Sequence, residues 1–320
     1  MITVSLNPAI DRILEVPDFA VGAHQRGRLL SRTPAGKGVN VSRALAALGV
    51  RSIATGFVGA SDLELFESSL DPVRVQSQFL VVDAATRENI TIVDPVGHVE
   101  THIRDVGFTI GVADRLRLSK KLSLMCRPEG IVAFSGSVPE GISPAQFAEM
   151  IEICLAAGAK VAVDTSGPAL QAAARLPLWL IKPNLAELRE ITGQPLETEA
   201  DILAAGRELS AHIRTVIVTR GAEPGYCFVS GSALRGRVEV EPERVRNTVG
   251  AGDSLVAGFI AAQLRSDDIR ESYRQALAVA TASAVSLQPG AFAIEDVEDF
   301  LFRAVVEPVR PERPRAAQPR

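Results

Sequence analysis

The feature that most restricts how this chain can fold is an alternation that begins after residue 112. Helical periodicity over 114–125 runs into an apolar stretch at 130–134, and the pattern repeats with helix 144–157 and strand 160–163. It continues with helix 167–175, strand 178–181, helix 198–210 and strand 216–219, and helices over 251–264, 268–286 and 295–305 close the series. Short apolar strands separated by helices of ten to fifteen residues are the pattern of βαβ units, which predicts an α/β fold with a mostly parallel sheet covered on both faces. The first third of the chain is different. Residues 2–6 and 52–58 read as strands of the same sheet, but 11–16, 28–32, 75–82, 89–94 and 99–104 are extended runs without intervening helices. They predict a small separate sheet, drawn from parts of 11–34 and 75–104 and placed as a lid. The last stretch, 307–320, carries four prolines and four arginines and little that is apolar, so it is expected to be a disordered tail behind a single domain spanning 1–306.

Composition excludes several classes of function. A net charge of -4 argues against a nucleic-acid surface. No run approaches the ~20 apolar residues of a membrane span, and the start of the chain reads as a strand, not a leader, so a soluble, cytoplasmic protein is expected. Cys126, Cys154 and Cys227 are far apart and form no CxxC pair, which predicts buried thiols in a reducing compartment. The four histidines are scattered and complete no metal site.

In a sheet of this kind ligands bind beyond the carboxyl ends of the strands, so the loops there are the places to search. The most informative is Asn247-Thr248-Val249-Gly250-Ala251-Gly252-Asp253-Ser254, which empties into a helix. Three small residues let backbone N–H groups converge on a ligand oxygen, and the helix start favours an anion. A carboxylate beside such a hole can take the proton of a hydroxyl that attacks a phosphate. Two readings stand: Asp253 as base, or Asp253 and Ser254 as helix caps. The loop Ala35-Gly36-Lys37-Gly38-Val39-Asn40 offers N–H groups, one lysine and one amide at another helix start, for a phosphorylated or hydroxylated ligand or simply as a tight turn. Ser135-Gly136-Ser137-Val138-Pro139-Glu140-Gly141 is a small-residue floor. In Lys182-Pro183-Asn184-Leu185-Ala186-Glu187, Asn184 and Glu187 sit three apart at a helix start. They can turn to one point, as oxygen ligands for Mg²⁺ through water or as a capping pair. Arg220-Gly221-Ala222-Glu223-Pro224-Gly225 can pass beneath a nucleotide.

The order of these loops, AGKGxN, SGSxPxG, KPNxxEL, VTxGA and TVGAGDS, resembles that of the PfkB group of the ribokinase-like sugar kinases over nearly the whole chain. The opening Asn7-Pro8-Ala9-Ile10-Asp11 resembles the 1-phosphofructokinase and tagatose-6-phosphate kinase branch. The resemblance implies a ribokinase-like three-layer α/β/α fold with a small β lid. It implies an enzyme that uses ATP and Mg²⁺ to phosphorylate a ketohexose phosphate, foremost fructose 1-phosphate to fructose 1,6-bisphosphate, with 6-phosphofructokinase and tagatose-6-phosphate kinase as alternatives. A kinase of an unphosphorylated sugar or nucleoside ranks lower, and a sugar-phosphate-binding regulator without catalysis lower still. Asp253 then matches the catalytic base and Gly250, Ala251 and Gly252 the anion hole. Asn184, Glu187, Thr219, Gly221, Ala222, Gly252 and Ser283 match positions on the nucleotide side, with Glu187 holding Mg²⁺ through water. Asp11, Gly36, Gly38 and Asn40 match sugar-binding positions, and Lys37, Arg26 and Arg87 are expected at the phosphate already on the sugar; for Arg26 and Arg87 an ordinary surface charge is the competing reading. A homodimer clasped through the lid fits the same picture. The chain departs from the commoner pattern at Asn247, where many members have Asp, at Ala35, and at Ala291-Phe292.

Overall fold

Alternation along each strand divides the molecule into layers. In β9 (Ile131–Ser135), Val132 and Phe134 point into one apolar core while Ile131 and Ala133 point into another. The same split occurs in β10 (Lys160–Asp164) between Val161, Val163 and Ala162, and in β12 (Thr215–Arg220) between Val216, Val218 and Ile217. A sheet apolar on both faces has to be covered on both faces. The computed structural model, which describes residues 1–288 and 290–309, shows how. Helices α3 (Val112–Met125), α4 (Pro144–Ala156), α5 (Gly167–Ala173), α6 (Leu185–Thr192) and α7 (Glu199–Leu209) cover one side. On the other lie α1 (Lys37–Ala47), α8 (Ala251–Gln263), α9 (Ile269–Val285) and α10 (Ile294–Arg303). The short α2 (Leu63–Ser68) packs with a third, smaller core beneath the small sheet.

The large sheet has eleven strands. Its parallel part runs β12, β11 (Leu180–Ile181), β10, β9, β1 (Ile2–Ser5), β4 (Ser52–Gly59), with β5 (Val75–Ser77) and β6 (Leu80–Val82) both added to β4. The extended run expected over 75–82 is thus two short strands of the main sheet and not part of the small one. Beyond β12 the sheet turns antiparallel through β13 (Glu223–Val229), β14 (Ser232–Val238) and β15 (Ala304–Pro308). These three are additions to the sequence-based picture. The helix expected to reach 305 ends at Arg303, because Ala304 and Val306 alternate inward against β14 and the extended backbone gains its ladder there. The first residues of the expected tail, Glu307 and Pro308, are in that strand, and 310–320 lie outside the described residues.

The small sheet is β3 (Arg28–Ala35), β2 (Ala9–Glu15), β7 (Arg87–Asp94) and β8 (Val99–Arg104), in that order. It stands over the carboxyl ends of the parallel strands, because β2 leaves directly from β1 and β3 runs straight into α1. The junction at α1 is close-packed: a Cβ on Gly38 would lie 2.3 Å from Ser5 Oγ and 3.0 Å from the Val4 carbonyl, so the helix can start against β1 only with glycine here. All three cysteines are buried free thiols. No helix among the described residues is long and apolar enough to cross a membrane.

Candidate active site

At the start of α8 the backbone is left uncapped and Asp253 turns away from it. Gly250 is the N-cap residue, in the left-handed region at φ 83°, and no side chain caps the helix. The N–H of Ser254 makes the first helical bond, to the Gly250 carbonyl at 2.9 Å, while the N–H groups of Gly252 and Asp253 have no backbone acceptor among the described residues. A helix that ends in bare N–H groups keeps its positive pole for an anion. Asp253 instead turns inward. It is 4% exposed, and its Oδ2 accepts from Asn40 Nδ2 at 2.8 Å. Burial, reinforced by the nearby charge of Asp164, pushes its carboxyl up to about 7, against the pull of Lys37, the Asn40 hydrogen bond and Lys182. A carboxyl of that kind is matched to proton transfer near neutral pH. Ser254 Oγ is buried without a hydrogen-bond partner among the described residues and does not cap the helix.

Two groups that the motif reading did not single out complete this floor. Asp164 ends β10 and is 1% exposed; its Oδ1 accepts from Lys37 Nζ at 3.0 Å and Lys182 Nζ at 3.3 Å. Burial works to raise the Asp164 carboxyl, but Lys182 and Lys37 outweigh it and hold it below its ordinary value. Lys37 is displaced upward, its burial overridden by Asp164, Asp253 and Glu187. Lys182 reaches the anion hole itself, since a Cβ on Gly252 would lie 3.3 Å from its Nζ. The clue in the sequence was a charge at the carboxyl end of an otherwise apolar strand, at Asp164 and again at Lys182.

The nucleotide-side positions come together. The backbones of Asn184 and Thr219 are bridged, and Thr219 N–H donates to the Pro183 carbonyl at 3.0 Å, so the loops after β11 and β12 lie side by side. Asn184 and Glu187 form a full capping box on α6, with Glu187 N–H to Asn184 Oδ1 at 2.9 Å and Asn184 N–H to Glu187 Oε2 at 2.8 Å. Glu187 Oε1 stays outside that box. Gly221 and Ala222 are the exposed two-residue turn of the β12–β13 hairpin, Gly221 at φ 65°. Ser283 is fully buried in the last turn of α9, beneath the backbone contact of Arg246 and Asn247 with the Ala284 carbonyl. Its Oγ has no hydrogen-bond partner among the described residues.

On the small sheet, Asp11 Oδ1 accepts from Asn89 Nδ2 at 2.9 Å, and Arg104 on β8 stands opposite Asn89 on the same face. Arg87 is a staple: its guanidinium donates to the carbonyls of Asn7, Pro8 and Asp105 and to Ser137 Oγ, drawing the small sheet onto the floor loop after β9. Burial depresses Arg87, the charge of Asp11 offsets part of this, and Arg104 adds to it. Gly36 and Gly38 hold the loop onto Pro8 and β1. Arg26 is not gathered in. It is exposed in the loop between β2 and β3, with no hydrogen bond or ion pair among the described residues.

Residues 4–295 match the family model described as pfkB family carbohydrate kinase. The chain belongs to the pfkB family. The kinase is 34% identical over 261 residues to the 1-phosphofructokinase of Haemophilus influenzae, covering 81% of this chain and 83% of that one. Its backbone is similar to that of Escherichia coli phosphofructokinase-2, with a TM-score of 0.87 at 24% identity over 94% of this chain and 98% of the other. It is similar also to that of Arabidopsis thaliana ribokinase, with a TM-score of 0.72 at 19% identity over 94% and 98%. The fold is therefore ribokinase-like, as expected, and the enzyme is a phosphotransferase acting on carbohydrate, with ATP as the family's phosphoryl donor.

Proposed function

We propose that this kinase transfers the γ-phosphoryl group of ATP to fructose 1-phosphate, giving fructose 1,6-bisphosphate. The observation that carries the reading is Asp253: a buried carboxylate, steered by Asn40, at the uncapped start of α8. In this reading Asp253 takes the proton of the attacking hydroxyl while the N–H groups of Gly250 and Gly252, with Lys182, stabilise charge on the transferred phosphoryl; the N–H of Ala251, expected beside them, donates to the Thr248 carbonyl at 3.3 Å. Lys37 neutralises charge from the sugar side. Asp11, Asn40 and the loop at Gly36 and Gly38 orient the sugar. Arg87 and Arg104 receive its existing phosphate, Arg104 taking the place expected of Arg26, because two neighbouring guanidiniums suit a dianion. Asn184, Thr219, Gly221 and Ala222 lie along the nucleotide. Mg²⁺ fits Glu187, which keeps one carboxylate oxygen outside its capping bond; such an ion is held by one or two carboxylates plus waters and phosphates, and supplies charge neutralisation there.

The kinase domain runs through β15 to Pro308, two residues past the expected boundary at 306, with the small sheet as lid, excluding water from the cleft. The lid's exposed Leu29, Leu30, Val99 and Ile103 support a homodimer clasped through it. The relatives named 1-phosphofructokinase support the choice of fructose 1-phosphate. A coupled ADP-release assay across fructose 1-phosphate, fructose 6-phosphate, tagatose 6-phosphate and free fructose tests it: the highest kcat/KM is expected for fructose 1-phosphate, and a preference for either 6-phosphate overturns the choice. Light scattering at micromolar concentration tests the dimer.

A further inference from the structure

Asp164 joins two cations that come from opposite ends of the cleft. Lys37 opens α1, directly after the loop on the sugar side; Lys182 follows β11, two residues before Asn184 on the nucleotide side. Both ammoniums meet on one oxygen, Asp164 Oδ1, at 3.0 and 3.3 Å, while Oδ2 is buried without a hydrogen-bond partner among the described residues. A carboxylate in such a place is costly unless paired, and Lys182 without it would be an unpaired buried charge, while Lys37 keeps 39% of its side chain exposed. The charged groups that face Asp253 are Asp164 from β10, Lys37 from α1 and Lys182 from the loop after β11; Glu187 of α6 faces Lys37. With Asp253 ionised, the four groups Lys37, Lys182, Asp164 and Asp253 sum to zero.

We propose that Asp164 is a positioning residue for phosphoryl transfer: it holds Lys37 and Lys182 together on one oxygen beneath the start of α8 and balances their charge. Without Asp164, two uncompensated ammoniums face Asp253 and make it an ordinary carboxylate, too weak to draw a proton from an alcohol at neutral pH. The lysines, no longer tied to one point, also leave the two phosphoryl groups less well held. The proposal rests on Asp253 being the base.

The test compares Asp164→Asn with Asp164→Glu, which keeps the charge. In pH profiles of kcat, the acid limb of Asp164→Asn is expected to move down by on the order of one pH unit, with kcat lowered ~10- to 100-fold. KM should rise for both substrates. Asp164→Glu should lose kcat but keep the acid limb near that of the wild type. An unmoved limb in Asp164→Asn, or an equal shift in both variants, overturns the proposal and leaves Asp164 a structural ion pair. If Asp164→Asn does not fold, Asp164→Asn combined with Lys182→Met, read against Lys182→Met alone, measures the same contribution with the charge balanced. A ¹³C titration of the Asp253 carboxyl, assigned with Asp253→Asn, reads the tuning without turnover. A normal rate in Asp253→Asn would sink the base assignment while this titration still decided the role of Asp164.

Discussion

Asp253→Asn should abolish turnover and, at alkaline pH, make the protein more stable. In the unfolded chain Asp253 ionises at its ordinary 3.8, whereas in the fold it is pushed up to about 7. Between those values the native state binds a proton that the unfolded state has released, so stability falls as pH rises through the window. Above pH 7 the accumulated cost is 1.36 kcal/mol for each of about three pH units, hence ~4 kcal/mol as an upper limit. Asn has nearly the same shape, carries no charge to desolvate, and can still meet Asn40 through its amide. That figure already includes the attraction of Lys37 and Lys182 for the ionised group, which the variant loses with the charge. A gain of up to ~4 kcal/mol at pH 8 is the expectation, a rise in Tm of several degrees for a chain of this size. At pH 5, about 1.2 units above the unfolded value, only ~1.6 kcal/mol of that cost has accumulated, so the gap between the two proteins should shrink by more than half. Thermal denaturation at pH 5 and pH 8, beside an ADP-release assay, checks all three points. A variant less stable than wild type at pH 8, or a difference that does not depend on pH, would show that Asp253 is an ordinary ionised carboxylate and refute the assignment.

The remaining predictions separate structural from chemical roles. Glu187→Gln can still accept from the Asn184 N–H, so α6 should keep its cap and the melting temperature should change little, while the Mg²⁺ concentration for half-maximal rate rises ~10-fold or more. Arg26→Ala should leave both KM values within about twofold, as expected of an exposed side chain with no partner, whereas Arg104→Ala should raise KM for the sugar phosphate ~10-fold and spare that of ATP. Equal effects of Arg26→Ala and Arg104→Ala on the sugar-phosphate KM would restore Arg26 to the phosphate site. Gly38→Ala forces a methyl against Ser5 Oγ and the Val4 carbonyl, and should cost ~1–3 kcal/mol in chemical denaturation.

What could be read in advance follows from what periodicity encodes. Strands buried on both faces are continuous apolar runs, and the helices between them carry their own stripes, so the parallel half of the sheet was legible as far as β12. The antiparallel end was not. Glu223 to Val229 holds a proline and a glycine, and Ser232 to Val238 alternates around Gly236, which faces Tyr273 and has no side chain to declare a buried position. β15 was hidden by α10, whose periodicity runs up to Arg303 and leaves only five residues to show a new period.

The site divides along the same line. Its loops were legible because each is a local pattern in which glycines, an amide or a carboxylate stand at a helix start, and Asp253, Asn40, Asn184 and Thr219 all come to the cleft through such patterns. What a local pattern cannot carry is which charge answers which. Asp164 and Lys37 are 127 residues apart, and nothing near either one shows that they meet at 3.0 Å or that Lys182 shares the same oxygen. The same limit explains Arg26 and Arg104. From sequence, both are arginines near an extended run; only the pairing of β7 with β8 sets Arg104 across from Asn89, beside Arg87 and on the face of Asp11, while Arg26 falls in a loop that no strand draws inward. The inward turn of Asp253 is therefore a local property of the start of α8, but the charge around it is a property of the sheet, because parallel neighbours bring the ends of β10 and β11, and with them Asp164 and Lys182, to the same floor.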